Sequence, residues 1–99
     1  IMINTAEIRE IIRRFENKEG VRGVIICDSS GLPIKSNLDY NMSEEVSAYI
    51  TSLIGKGKRV VSALKEGELN FIRLETVKGD ETAEIMIALE RNLILIVLK

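Results

Sequence analysis

The sequence lacks histidine and tryptophan and has a single cysteine, Cys27, among its 99 residues. The absence of histidine excludes catalytic triads and dyads that use an imidazole base, as well as zinc sites built from cysteine and histidine. One cysteine cannot form a disulfide within the chain, and the apolar surroundings of Cys27 are typical of a buried, inert thiol. The chain therefore has few of the side chains on which enzymes and metalloproteins rely.

Strong net charge and long apolar runs are also missing. The formal net charge is −1, which gives no overall field to attract nucleic acid or an anionic membrane. The longest apolar run, Leu93 to Leu98, is far shorter than the roughly 20 residues of a membrane-spanning helix. The first residues, Ile1 to Asn4, lack the basic start and apolar core of a signal peptide. These features predict a cytoplasmic protein with no nucleic-acid partner and no direct membrane insertion.

The first part of the chain predicts a helix followed by a hairpin. A capping pattern at Asn4 and an apolar stripe of helical spacing predict a helix over about 4–18. The apolar, β-branched segment Val24 to Cys27 is typical of a strand that is buried on both faces. After a turn over 28–31, Pro33 removes a ladder donor and places the returning strand at a sheet edge.

The second part predicts a long helix and a meander of three strands. Asn41 is expected to cap this helix, which ends at about Leu64, before Gly67. Strands are expected at about 68–77, 83–90 and 92–98, and the all-apolar last strand belongs beside the equally apolar first. The sequence thus predicts an α+β fold as a single domain over 1–99. Its antiparallel sheet has the strand order 2-1-5-4-3, with a helix on each face.

The segment from Gly55 to Arg59, Gly-Lys-Gly-Lys-Arg, suggests a phosphate-binding loop because glycines stand among basic residues. A Walker loop needs a glycine five residues before its Gly-Lys pair and a hydroxyl directly after it, and Ile50 and a second glycine do not fit. No nucleophile, base and orienting group occur together elsewhere. We therefore predict no catalytic residues, no cofactor and no metal.

The long helix is predicted to have two contact faces. An apolar stripe is expected to cover the sheet, with Gly57 allowing close approach of the helix to the strands. This stripe consists of Val46, Tyr49, Ile50, Leu53, Gly57, Val60 and Leu64. The opposite face is unusually small in bulk at Ala48, Thr51 and Gly55, with Ser52 at its border. Small residues let another backbone come near, so this face predicts packing against a second protein.

The strand predicted over 68–77 is an edge strand without proline and with apolar residues on both faces. Leu69 and Phe71 are expected on one face, and Ile72 and Leu74 on the other. A free edge of this kind favours aggregation, and antiparallel pairing with the same strand of a second copy would protect it. Arg73 and Glu75 are candidates for setting the register. The predicted dimer interface is Ala48, Thr51, Ser52, Gly55, Leu69, Phe71, Arg73 and Glu75.

Four segments, taken in order, resemble one protein family. They are the hairpin from Gly20 to Ser36 and the strands Leu69 to Leu74, Glu84 to Ala88 and Leu93 to Leu98. Together they resemble the roadblock family, which includes dynein light chains and small-GTPase regulators, and within it a prokaryotic or archaeal stand-alone member. Family members often carry a third helix after the last strand, whereas this sequence ends at Lys99.

The resemblance implies a non-catalytic dimeric scaffold that binds a small Ras-like GTPase and regulates or tethers it. The dimer would form with a second copy or with a roadblock paralogue. The predicted partner-binding residues are Ala48, Lys58, Arg59 and Ser62. Two alternatives stay open: a cytoskeletal motor or cargo adaptor, and a profilin-like sensory domain for a small ligand. The second would need a sizeable apolar pocket, for which the four aromatic residues offer little.

Overall fold

The computed structural model describes residues 4–99, in which two helices pack on one five-stranded antiparallel sheet. The strand order β2-β1-β5-β4-β3 confirms the predicted topology. Residues 1–3, which carry part of the signal-peptide prediction, lie outside the described residues. The elements are α1 Thr5–Glu16, β1 Gly23–Asp28, β2 Pro33–Ser36, α2 Tyr40–Leu64, β3 Phe71–Lys78, β4 Glu81–Leu89 and β5 Leu93–Leu98.

Helix α1 begins as its sequence predicts. The Asn4 side chain accepts a hydrogen bond from the backbone N–H of Glu7 at 2.8 Å and donates one to the Glu7 carboxylate at 3.0 Å. The first of these bonds satisfies one backbone N–H that the helix leaves free, and the second holds the two side chains together. The helix ends at Glu16, two residues earlier than predicted, with Asn17 as its C-cap.

The two faces of the sheet carry separate apolar cores, because alternate residues of β1 point in opposite directions. On one face Val24 and Ile26 pack with Ile8 and Ile12 of α1. On the other face the core combines α2 with three strands. Its buried members are Ile25, Cys27, Ile50, Ile54, Ile87, Ile94 and Ile96. The prediction of one helix on each face, with β1 buried on both, is confirmed.

Helix α2 begins earlier than predicted. Asp39 is the N-cap, and its carboxylate accepts a hydrogen bond from the N–H of Met42 at 2.8 Å. The prediction that Asn41 caps this helix is wrong, since Asn41 already lies inside the first turn. Lys65, in the left-handed conformation with φ 55°, ends the helix before Gly67.

The predicted orientation of α2 about its own axis is right only in part: Ile50 is buried, and Val46 and Leu53 pack against the same core. Tyr49, Val60 and Leu64, expected to cover the sheet, are 73%, 58% and 64% exposed. Ser43 and Ser47 face the sheet instead and are buried. Since successive residues of an α-helix are about 100° apart, the observed sheet-facing side of α2 is rotated by roughly 70° about the helix axis from the predicted one.

Hydrogen bonds explain why serines occupy these buried positions. The Ser43 hydroxyl donates to the Ser36 hydroxyl of β2 at 2.8 Å. The Ser47 hydroxyl lies 3.3 Å from the thiol of Cys27 in β1. A buried hydroxyl with a partner costs little, whereas one without a partner is strongly unfavourable. The serines therefore orient α2 on the sheet, and the apolar residues beside them turn outward.

Gly57 allows the close helix-to-strand approach that the sequence predicts. A Cβ at this position would lie 3.0 Å from Cδ2 of Leu69 and 3.5 Å from Cδ1 of Ile72. Leu69 therefore faces α2 like Ile72, and the prediction that it shares a face with Phe71 is wrong. The reason is that β3 begins at Phe71, so the alternation of a strand does not extend to Leu69.

Replacing Cys27 with alanine should lower the free energy of unfolding by about 1–2 kcal/mol and leave partner binding unchanged. Burial raises the pKa of the Cys27 thiol, so the reactive thiolate is scarce near neutral pH. Urea denaturation would measure the loss, with exposed Ser52→Ala as a control that should change stability by less than about 0.5 kcal/mol. Lost binding in a fully folded Cys27→Ala chain would contradict the assignment of a purely structural role.

Candidate protein-binding surface

The candidate site in the described residues is built from exposed surfaces. Within residues 4–99, no group of three or more histidine, cysteine, aspartate or glutamate side chains is placed to hold a metal ion. No helix in the same range is long and apolar enough to cross a membrane. An open groove of about 590 Å³ at one end of the sheet is lined by charged side chains that include Arg22, Lys78 and Glu81. It does not have the apolar lining that the profilin-like alternative requires.

One flank of α2 carries an exposed apolar stripe, here called the α2 stripe. It consists of Met42, Tyr49, Val60 and Leu64, each at least half exposed. Their spacing of i, i+7, i+18 and i+22 places them on one side of the helix, with half-buried Leu53 between them. Single exposed apolar residues are ordinary, but an aligned set on one helix flank is typical of a protein interface.

The sheet beneath α2 is wider than the helix. Five strands at about 4.8 Å span about 24 Å, whereas a helix with its side chains is about 10 Å across. Helix α2 lies closest to β1 and β2. The residues of β3 and β4 on the same face, Ile72, Leu74 and Ile85, are therefore only half covered. This leaves apolar surface on the β3 side of the sheet.

Strand β3 forms a free edge, because it pairs with β4 on one side only. The N–H of Leu89 donates to the carbonyl of Asn70 at 2.9 Å, which places even-numbered residues of β3 in the hydrogen-bonded positions toward β4. The odd-numbered residues consequently direct their backbone N–H and C=O groups to the open side. Phe71 and Val77, two of these residues, also have side chains that are 49% and 70% exposed. The edge is available for pairing with another strand.

Charged residues on β3 form a small network on the sheet face opposite α2. Arg73 donates from Nε to the Glu84 carboxylate at 2.5 Å and from Nη2 to the Glu75 carboxylate at 3.1 Å. These hydrogen bonds, that to Glu84 first, raise the pKa of Arg73. Glu75 and Glu84 lie directly opposite each other in the β3–β4 register. Arg73 therefore offsets a repulsion between two carboxylates.

Most of the residues predicted on the outer face of α2 do face outward. A Cβ added at Gly55 would lie in open space, with no contact within 4 Å. Thr51 differs, because it packs against the turn at Gly31 and its hydroxyl donates to the Ser47 carbonyl at 2.7 Å. The exposed members of the predicted set are Ala48, Ser52, Lys58, Arg59 and Ser62. Their roles in binding stay predictions.

The predicted interface residues do not form one patch. Phe71, Arg73 and Glu75 lie together at the β3 edge, on the face opposite α2, and Leu69 lies under α2. The α2 stripe is the surface that sequence reasoning missed. The sequence signal that points to this stripe is the number of apolar residues on α2, because they are more than one sheet-facing side can bury.

Comparison with known proteins gives the same architecture. The family model of the Roadblock/LC7 domain matches residues 7–99. Myxococcus xanthus MglB has a similar structure, with a TM-score of 0.81 and 13% identity over 97% of this chain and 77% of that one. A Roadblock/LC7 domain from Streptomyces avermitilis is also similar, with a TM-score of 0.70 and 15% identity over 85% of this chain and 69% of that one. A structure of MglB with a tetrameric arrangement has a TM-score of 0.71 and 12% identity over 99% of this chain and 75% of that one. At these identities the structural neighbours establish the fold alone.

Proposed function

The chain belongs to the Roadblock/LC7 domain family, and from that premise we propose that it is a non-catalytic dimeric scaffold for a small Ras-like GTPase. The observation that carries the proposal is the exposed apolar α2 stripe, together with the open edge of β3 on the same sheet. A binding platform needs such surfaces, whereas an enzyme needs a cluster of reactive groups. A GTPase partner would place the protein's action in the cytoplasm.

Dimerisation through β3 and α2 would cover both surfaces at once. Antiparallel pairing of β3 with the same strand of a second copy joins two five-stranded sheets into one of ten strands. The same two-fold axis brings both α2 helices to one face of that sheet, where their stripes can pack together. The tetrameric arrangement of a protein with a similar fold supports self-association in this proposal.

The paired α2 helices would then present their outer faces as one platform for the GTPase. Ala48 and Ser62 give this platform little bulk, and Lys58 and Arg59 give it positive charge at exposed positions. Exposed charges at the rim of an interface mainly steer association. The scaffold would regulate or tether the GTPase by holding it against this platform.

A pull-down with the tagged chain tests the proposal. Native lysate is supplied with GDP or with a non-hydrolysable GTP analogue, and mass spectrometry identifies the retained proteins. Retention of a small Ras-like GTPase in either nucleotide state supports the proposal. Retention of a motor subunit without a GTPase would favour the cargo-adaptor alternative instead, and a monomeric chain that retains no GTPase would refute the scaffold.

Reversing the charges of Lys58 and Arg59 to glutamate should weaken GTPase binding about tenfold, mainly through a slower association rate. The loss should shrink as salt is added, because exposed charges are screened. Surface plasmon resonance measures both rates, and light scattering should give an unchanged dimer mass. Arg9→Glu with Arg14→Glu on α1 is a matched control with the same change in net charge. An equal loss in this control would contradict a platform on α2.

A further inference from the structure

We propose that two copies of this chain pair through β3 in one register, with Leu74 on the two-fold axis and Arg73 opposite the partner's Glu75. The inference rests on the proposed dimer and specifies how its strands align. It follows from three features of β3: which backbone groups face outward, where the charges lie, and how long the strand is.

The two-fold axis limits the possible registers. When identical antiparallel strands meet on such an axis, one residue lies opposite its own copy, and its neighbours pair symmetrically around it. The outward backbone groups belong to the odd-numbered residues of β3, by the pairing of Asn70 with Leu89. These residues must therefore exchange hydrogen bonds with odd-numbered residues of the partner. Moving the axis along the strand changes which side chains meet.

The charges distinguish among these positions. An axis at Arg73 places two guanidinium groups opposite each other, and an axis at Glu75 places two carboxylates together. Both arrangements are unfavourable for directly opposed residues in a sheet. An axis at Leu74 places Arg73 opposite the partner's Glu75 on both sides of the axis, and Phe71 opposite the partner's Val77. Opposite charges and apolar residues are then matched in a single register.

The length of β3 favours the same position. The strand extends over Phe71–Lys78, so Leu74 lies midway between its first and last outward-facing odd residues, Phe71 and Val77. Every outward N–H and C=O of the odd-numbered residues then has a partner in the second strand. With the axis one residue away, at Arg73, Val77 would lie opposite the partner's Leu69, which is outside the strand and faces α2. Hydrogen bonds would be lost at both ends.

The network with Glu84 is compatible with this pairing. Arg73 already bonds Glu84 and Glu75 of its own chain, and a guanidinium has five N–H donors, enough for one more carboxylate. Because the charge pattern is complementary to itself, the edge is suited to an identical copy. The proposed partner of β3 is therefore a second copy of this chain.

Charge reversals test the register. Glu75→Arg places arginine opposite the partner's Arg73, and Arg73→Glu places glutamate opposite the partner's Glu75. Each change acts twice in the dimer, and we expect each to raise the dimer dissociation constant about ten- to hundredfold. The double variant Arg73→Glu/Glu75→Arg restores opposite charges and should dimerise within about threefold of the unmodified chain. Sedimentation equilibrium measures all four constants.

Glu75→Arg also tests dimerisation without disturbing the fold of the single chain. Within its own chain the new arginine lies directly opposite Glu84, so the monomer keeps a favourable cross-strand pair. Mixing the Arg73→Glu chain with the Glu75→Arg chain matches every charge across the axis and should give a heterodimer. Two single variants that dimerise as well as the unmodified chain would overturn the proposal.

A disulfide provides a second test that does not depend on charge. Directly opposite residues in a non-hydrogen-bonded antiparallel pair have Cα atoms about 4.5 Å apart, which a disulfide can span. Leu74→Cys chains should therefore cross-link under mild oxidation. Ile72→Cys is the matched control, also half-buried and on the same face, and should not cross-link because its copy lies four residues out of line.

The outcomes separate the register from the proposed function. A dimer in which Ile72→Cys cross-links and Leu74→Cys does not would overturn the register and leave the scaffold intact. An unmodified chain that stays monomeric at high micromolar concentration would overturn both.

Discussion

Replacing Gly31 with alanine should lower the free energy of unfolding by about 2–5 kcal/mol. Gly31 has φ +93°, in the left-handed region, where a Cβ costs about 1–2 kcal/mol. That Cβ would also lie 2.1 Å from the Thr51 hydroxyl of α2. Thr51 is held by its hydrogen bond to the Ser47 carbonyl, so relieving the overlap shifts the turn or the helix, at a further cost of about 1–3 kcal/mol.

Two further variants separate these contributions. Gly67 has φ +95° and no atom within 4 Å of its would-be Cβ, so Gly67→Ala should lose only the backbone contribution. Adding Thr51→Ala to Gly31→Ala should recover part of the loss by removing the overlapping atoms. Urea denaturation measures all three free energies. Equal losses in Gly31→Ala and Gly67→Ala would mean that the turn does not position α2.

The topology was predictable because local chemistry decides it. Pro33 confines β2 to an edge, and the uniformly apolar strands β1 and β5 must lie side by side in the middle. The turn after Asp28 was equally readable. Its carboxylate accepts hydrogen bonds from the backbone N–H groups of Ser30 and Leu32 at 2.9 and 3.0 Å, as expected of an Asx turn.

The orientation of α2 was not predictable in the same way. Apolar spacing alone favoured a stripe through Tyr49 and Val60. The buried serines have partners in other elements of the fold, Ser36 of β2 and Cys27 of β1, and the sequence pattern does not identify these partners. A hydroxyl is compatible with a core only when such a partner exists. The sequence therefore predicted the sheet contacts of Val46, Ile50 and Leu53 correctly. It placed Tyr49 and Val60 against the sheet as well, and both face outward.

The candidate site, like the orientation of α2, was predictable only in part. The open β3 edge follows from strand order, and the structure places Arg73 and Glu75 on it. Leu69 was misplaced because the start of a strand depends on pairing with its neighbour, here β4. The α2 stripe was missed because it is visible only once the buried side of the helix is known.

Helix α2 has two rival candidates for the dimer interface, the α2 stripe and the small outer residues. The sequence places Ala48 and Ser52 in the interface, whereas exposure in the structure favours Tyr49 and Val60. Buried tyrosines are frequent hot spots of protein interfaces, at 2 kcal/mol or more each. A charge at the centre of such a contact removes this gain and adds a desolvation cost.

Tyr49→Glu with Val60→Glu should therefore raise the dimer dissociation constant by about a hundredfold or more and leave the chain folded. The fold should survive because both side chains are more than half exposed in the single chain. Light scattering at low micromolar concentration should give the monomer mass, while circular dichroism and the melting temperature stay near those of the unmodified chain. GTPase binding should fall with the dimer, since the proposed platform needs both helices.

Ala48→Glu with Ser52→Glu is the matched control, with two glutamates introduced at exposed positions of the same helix. If the stripe forms the interface, this control stays dimeric and loses only GTPase binding, because its charges lie on the proposed platform. The reverse result, a monomeric control and a dimeric stripe variant, would assign the interface to the small residues. In that case the apolar stripe, which is still exposed after dimerisation, would be the surface on which the GTPase packs.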